Sequence, residues 1–385
     1  MSDQEVQESA GGLRLFTGEP QYENFSRMQH TLNVNPMAAS SKPFAFPSGA
    51  PIDLPKTYRH DGAERDLMKL IEDTHTSALF ILKDGEVRFE RYWLTGGREV
   101  QWLSASVAKS FISALVGIAL AEGKIASLDD AITRYATELA GTAYDGVRIR
   151  DVLQMSSGAL WDEDYTKPET VINQLIAALE PGGSYDDFMS TMVRESEPGT
   201  ICQYDSADTQ ALGMMLKAAT GRPIADYMRE KLTEPLGMES TGYWIADSRG
   251  MEMAFGGLLL TARDFAKIGE LYRNGGEWQG RRIVPADYVA QSVKADAPHL
   301  APGKPIVGGH AFPLGYGYQW WLPDGPDGEF SAIGVYNQYV YVDPSRGIVI
   351  TKLSANPTYG LSHDDSDNKD IENISAFRAI CRQFD

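Results

Sequence analysis

Between Leu103 and Gly123 the chain reads LSASVAKSFISALVGIALAEG, and this stretch constrains the fold more than any other. Phe111, Ile112, Leu115, Val116, Ile118, Leu120 and the alanines among them leave almost no polar face. Such a run predicts a helix buried at the centre of the protein. Ser104 is placed as its N-cap, and Gly123 with Lys124 as its stop. Ser106 then falls in the first turn, with Lys109 three residues on and on the same face.

A polar pair at the head of a buried helix requires a chemical reason. A serine hydroxyl is a weak nucleophile until a base takes its proton. A lysine among apolar groups loses solvation, so its neutral amine becomes available as that base. The helix start adds unpaired N–H groups and a positive dipole end suited to an oxyanion. A second S-x-x-K, Ser366 to Lys369, lies in a polar stretch with no apolar helix behind it and reads as a loop.

A chain of 385 residues can bury one large core or two closely packed ones. The formal net charge of −18 argues against nucleic acid and anionic membranes as partners. Cys202 and Cys381 are too few for a disulfide framework or a cysteine metal site, and the six histidines, His310 among them, show no ligand spacing. No cofactor or metal is expected. No basic-then-apolar leader or spanning apolar run is legible, so a cytoplasmic location is the expectation.

Residues 1–55 read as an extended arm that packs on the surface and carries no chemistry. Ser77–Leu82, Asp84-Gly85 and Val87–Trp93 read as a hairpin. From 125 to 244 the signals are helical, including Asp208–Thr220 with Ala211, Leu212, Met215, Leu216 and Ala219 on one face. Gly257–Arg273 reads as one helix, and Tyr316–Leu322, Phe330–Val335, Gln338–Val342 and Gly347–Leu353 as successive strands. Trp320-Trp321 within the first of these should send one ring to the core and the other outward. Residues 370–384 read as a closing helix, and Asp365, Asp367 and Asp370 as a solvated turn. The fold class expected is α+β, an antiparallel sheet flanked by helices. Residues 56–124 and 245–385 would build the sheet domain, and 125–244 an inserted all-helical domain.

Pro198-Gly199-Thr200-Ile201-Cys202-Gln203-Tyr204-Asp205-Ser206 delivers a tyrosine just before a helix. Ser156-Ser157-Gly158 is followed by Trp161-Asp162-Glu163-Asp164-Tyr165, and Phe255-Gly256-Gly257 makes a paired-glycine turn. In this order, from about 65 to 355, these segments resemble the serine hydrolases of the penicillin-binding and class C β-lactamase superfamily. W-D-E-D-Y after S-S-G is similar to the branch holding 6-aminohexanoate-dimer hydrolases and β-lactamase-fold carboxylesterases.

The resemblance implies Ser106 as nucleophile, Lys109 as general base and Tyr204 as the tyrosine of a Y-x-S motif ending at Ser206. The third motif, K-T-G or H-x-G, falls on Ala332-Ile333-Gly334, and the oxyanion hole on the N–H groups of Ser106 and Val335. Trp161, Ser206, Phe255 and Gly334 are the implied substrate contacts. Two departures stand out. Ala332 replaces the basic side chain that holds a substrate carboxylate, and Trp161 stands where the nylon-oligomer branch carries a tyrosine. On this basis small esters are expected as substrates, linear amides as slower ones and β-lactams as poor ones. Glu163 and Asp164 are read either as partners of a cationic substrate group or as braces of their loop.

Overall fold

A computed structural model of the chain describes Leu15 and residues 19–385, except 166, 168, 308 and 309 and the side chains of 310 and 311. The His310 side chain and the start of the expected arm, 1–14 and 16–18, lie outside the described residues. The centre is a seven-stranded antiparallel sheet drawn from both ends of the chain. Its strands in chain order are β1 (Thr76–Lys83), β2 (Glu86–Tyr92), β3 (Leu314–Tyr316), β4 (Trp321–Pro323), β5 (Phe330–Gly334), β6 (Gln338–Asp343) and β7 (Ile348–Ser354). In space they run β3-β4-β5-β6-β7-β1-β2.

The near-continuous apolar run of β1, TSALFILK, is explained by burial of both faces of the sheet. Ala78, Phe80 and Leu82 join one core with Ala332, Val340, Val342 and Val349. Leu79 and Ile81 join another with Ile333, Tyr339, Tyr341 and Ile350. Helices α1 (Ala108–Ala121), α2 (Ser206–Thr220) and α3 (Ala262–Arg273) contribute to the first core, and α4 (Asp370–Cys381) closes the second with Ile374, Phe377 and Ile380. The fold is therefore α+β, helices covering an antiparallel sheet.

Four local expectations need correction. Ser104 does not cap α1: its own backbone is helical, and its hydroxyl donates to the carbonyls of Ala105 (2.9 Å) and Gly256 (3.3 Å). A single 3-10 turn, Ala105–Val107, leads into α1 instead. Gly257–Arg273 is not one helix. Leu258–Leu260 is a strand pairing with Gly242–Ile245 and Trp102–Leu103, and Thr261 caps α3 behind it. Sheet pairing overrides the helical preference of three leucines. The pairing also puts residue 244, where the inserted domain was expected to end, inside a strand. Tyr316–Leu322 divides into β3 and β4 around a turn at 317–320. Trp320 nonetheless packs inward on Tyr272 and Phe330, while Trp321 faces the other way onto Tyr204.

The arm is not a surface feature. Phe25, Met28 and Met37 are fully buried, and Val34–Met37 adds a strand beside Gly242–Ile245. Among the described residues no helix is long and apolar enough to cross a membrane.

Candidate active site

Ser106 lies in the 3-10 turn between the strand Trp102–Leu103 and α1, where first-turn N–H groups have no intrahelical partner. The residue before it, Ala105, holds φ at +43°, a conformation that costs energy for any side chain but glycine's and is tolerated where surrounding contacts enforce it. Gly334, at the end of β5, supplies one such contact. A Cβ there would stand 2.6 Å from the Ser104 carbonyl oxygen and 2.9 Å from the Ser106 nitrogen, so only glycine lets the strand approach this closely.

Lys109 is almost wholly buried one helical turn on. Its Nζ lies 3.0 Å from Ser106 Oγ, 3.1 Å from Ser206 Oγ and 2.9 Å from the Phe255 carbonyl oxygen. Burial lowers its pKa to about 8, with Glu163 and Asp205 pulling the other way. Close to neutrality an appreciable share of this amine is therefore unprotonated.

Tyr204 arrives from the turn before α2, whose N-cap Asp205 accepts from the N–H groups of Ala207 (2.7 Å) and Asp208 (3.3 Å). The tyrosine ring stacks on Trp321 at 5.0 Å and lies 5.0 Å from Lys109 Nζ. Burial and the Glu163 carboxylate push the phenol well above its ordinary range, against a smaller opposing pull from the Ser106 hydroxyl. It keeps its proton at any ordinary working pH.

Glu163 braces the site. It accepts from Ser206 Oγ at 2.7 Å, from the Tyr165 phenol at 2.6 Å and from Trp161 Nε1 at 2.5 Å. Three sequence expectations change as a result. Trp161 is not a cleft wall: it is buried, its only N–H directed to Glu163. Phe255 is also buried, its ring edge-on to Tyr185, and it serves Lys109 through its carbonyl. Ser206 lies out of the cleft, between Lys109 and Glu163.

The cleft itself has a volume of about 140 Å3 and is lined by Ser106, Tyr204 and Gly334. Its apolar wall is Val307, Phe312, Trp321, Ile333 and Val335. Facing these are Glu163, Asp164, Tyr165, Tyr359 and Asp370, with His363 half-exposed among them. Ala332 faces the opposite core, as alternation along β5 requires. Among the described lining residues there are three carboxylates and no lysine or arginine.

Tyr165 and Asp370 escaped the sequence reading. The phenol of Tyr165, two residues past Glu163 in W-D-E-D-Y, lines the cleft and donates to Glu163. Asp370 is not in a solvated turn. It is buried at the start of α4, accepts from the Tyr359 hydroxyl at 2.8 Å and has its pKa raised to about 7 by burial.

Comparison with known proteins bears on this arrangement. The model of the beta-lactamase family matches residues 60–373. The chain belongs to that family. Within it, the chain is 30% identical over 307 residues to a 6-aminohexanoate-dimer hydrolase of Paenarthrobacter ureafaciens, covering 77% of each protein. A Bacillus anthracis structure provisionally assigned as a 6-aminohexanoate-dimer hydrolase superposes with a TM-score of 0.84 at 24% identity, covering 99% of this chain and 98% of the other. A family VIII carboxylesterase superposes at 0.60 with 14% identity, over 82% and 96% of the two chains. The protein is accordingly a hydrolase of the β-lactamase superfamily.

Proposed function

We propose that the protein cleaves small carboxylic esters and linear amides through an acyl-enzyme on Ser106. One observation carries the reading, the set of contacts around Lys109 Nζ. The Phe255 carbonyl can only accept, and Ser206 Oγ, its proton directed to Glu163, can only accept as well. A neutral amine has two N–H donors and one lone pair. The donors are taken by these two oxygens, and the lone pair is left for the Ser106 hydroxyl at 3.0 Å. Lys109 is thereby oriented as a base.

In the first step the Ser106 proton passes to Lys109 and Oγ bonds to the substrate carbonyl carbon. The oxyanion that forms is held by the N–H groups of Ser106 and Val335. Collapse breaks the bond to the leaving group, which takes its proton from Tyr204 while the Lys109 ammonium replaces the phenolic one. Water then attacks the ester under the same base and releases the acid.

The lining supports a substrate class. The described lining offers carboxylates and no lysine or arginine, which favours a neutral or cationic substrate group over a carboxylate. β-Lactams, which carry a carboxylate, are expected to react poorly.

Amides stand higher than the sequence alone suggested. The case against them rested on an indole in place of a phenol, and the phenol of Tyr165 lines the cleft. The likeness to a 6-aminohexanoate-dimer hydrolase favours the same side. The test is kcat/KM for one acyl group presented as p-nitrophenyl ester and as linear amide, in the wild type and in Tyr165→Phe. The variant should lose about tenfold on the amide and less than threefold on the ester, because the Tyr165 oxygen, its proton given to Glu163, can accept from an amide N–H that an ester lacks. Equal losses on both would remove the phenol from leaving-group chemistry.

A further inference from the structure

Val335, whose N–H is one of the two donors assigned to the oxyanion, belongs to the turn that joins β5 to β6. That turn is strained. Tyr336 and Asn337 hold φ at +63° and +67°, a region that asparagine tolerates and tyrosine rarely enters. Such a conformation persists only where its surroundings enforce it. The Tyr336 ring is held edge-on by Phe25 at 5.0 Å, and Asn337 Nδ2 donates to the Asn368 carbonyl at 2.7 Å.

The densest set of contacts comes from Gln338, whose side chain is buried under the turn. Its Nε2 donates to the carbonyl oxygens of Val335 (3.2 Å), Tyr336 (3.2 Å) and Ser354 (2.6 Å). Its Oε1 accepts from the Ser354 N–H at 3.0 Å and from Trp102 Nε1 at 3.1 Å. Trp102 stands four residues before Ser106, on the strand that delivers the nucleophile. One amide group therefore touches both segments that present oxyanion donors, the Ser106 turn through Trp102 and the Val335 turn through its carbonyls.

We infer that Gln338 is a positioning residue of the oxyanion hole, clamping the Val335 turn to the strand leading into Ser106 so that the two N–H groups converge on one point. The inference rests on the assignment of the Val335 N–H given above. Gln338 touches no substrate. It acts by fixing the peptide on the far side of Val335, which together with β5 fixes the orientation of the residue between them. A buried glutamine satisfying the carbonyls of any hairpin would stabilise the fold in the same way, so the test must separate positioning from support.

Gln338→Glu, held protonated by burial and by the carbonyls around it, keeps the shape and the acceptor for Trp102 but has one O–H where the amide has two N–H for Val335, Tyr336 and Ser354. It should lower kcat on a p-nitrophenyl ester about 100-fold, the scale for a misplaced oxyanion donor. KM should stay within about threefold and the acidic limb of the pH–rate profile unmoved, since no contact of Lys109 is altered. Wild-type enzyme should also prefer the ester to its thionoester analogue, whose sulfur fits such a hole poorly, and Gln338→Glu should shrink that preference. If Gln338→Glu does not fold, Trp102→Phe removes one bond of the clamp, and about fivefold in kcat with the same unmoved limb is expected. A folded variant with wild-type kcat and an intact thionoester preference overturns the inference and leaves the oxyanion hole standing. Parallel shifts in kcat, KM and the pH limb also overturn it, in favour of general support. No thionoester discrimination by the wild type would instead refute the hole itself.

Discussion

Ser206 Oγ gives its hydrogen bond to Glu163 Oε1 at 2.7 Å, and that single direction decides what Lys109 can do. Were the hydroxyl to point at Lys109 instead, it would compete with Ser106 for the amine's lone pair. Glu163 is thus two hydrogen bonds from Ser106's proposed base, Lys109, and also raises the pKa of that amine through its charge.

Glu163→Gln should therefore have two effects. The amide can donate to Ser206, freeing that hydroxyl to turn towards Lys109, and kcat should fall about 10- to 100-fold, the range for a disturbed general base. Loss of the negative charge should move the acidic limb of the pH–rate profile below its wild-type position near pH 8. The direction follows because Glu163 favours the ammonium form. A limb that moves upward would show that Lys109 is not the titrating base.

Gly334→Ala tests the close approach of β5 to Ser106. Its Cβ would press on the Ser104 carbonyl oxygen and the Ser106 nitrogen, both backbone atoms that cannot swing aside. Activity should drop at least tenfold, since small displacements at the reacting centre are costly. Steady-state kinetics on a p-nitrophenyl ester, with circular dichroism to confirm folding, would check this.

Asp208 offers a prediction about stability. It is fully buried at the start of α2, where hydrogen bonds from Ser157 and Tyr144 only partly offset the loss of solvation of its charged form. Burial raises its pKa from 3.8 to about 7. The folded state holds this proton where the unfolded chain has released it, so stability falls as pH rises from about 4 to about 7 and the cost persists above. Asp208→Asn should raise Tm by a few degrees at pH 8 and change it little at pH 4. Calorimetry at the two pH values would read the difference directly.

The parts of the site that were legible in the sequence are those whose geometry is local. Ser106 and Lys109 share one helix start, so their spacing alone places them together, and an unbroken apolar run marks that helix as buried. Tyr165 and Asp370 were not legible. Tyr165 comes from a loop and Asp370 from the first turn of α4, and only the packing of the chain end at 359–370 across the W-D-E-D-Y segment brings them to one cleft. The misreading of Trp161 has the same origin. Trp161, Glu163 and Tyr165 alternate along an irregular segment, and no period tells which ring is buried. Phe25 and Met28 lie among polar neighbours without a repeat, so their burial, that of Phe25 against Trp102 and Tyr336, depends on a surface that the rest of the fold builds.

The central claim is a covalent intermediate on Ser106 generated by an unprotonated Lys109. The measurement that tests it most directly is intact-protein and peptide mass spectrometry after a fluorophosphonate probe, across pH 6 to 10, in the wild type and Lys109→Arg. The wild type should gain one adduct, on the peptide carrying Ser106, at a rate that rises with pH through about 8. Lys109→Arg, whose guanidinium holds its proton throughout, should label at least 100-fold more slowly. Labelling at another residue, or a rate on Ser106 that is independent of pH and survives in Lys109→Arg, would contradict the account.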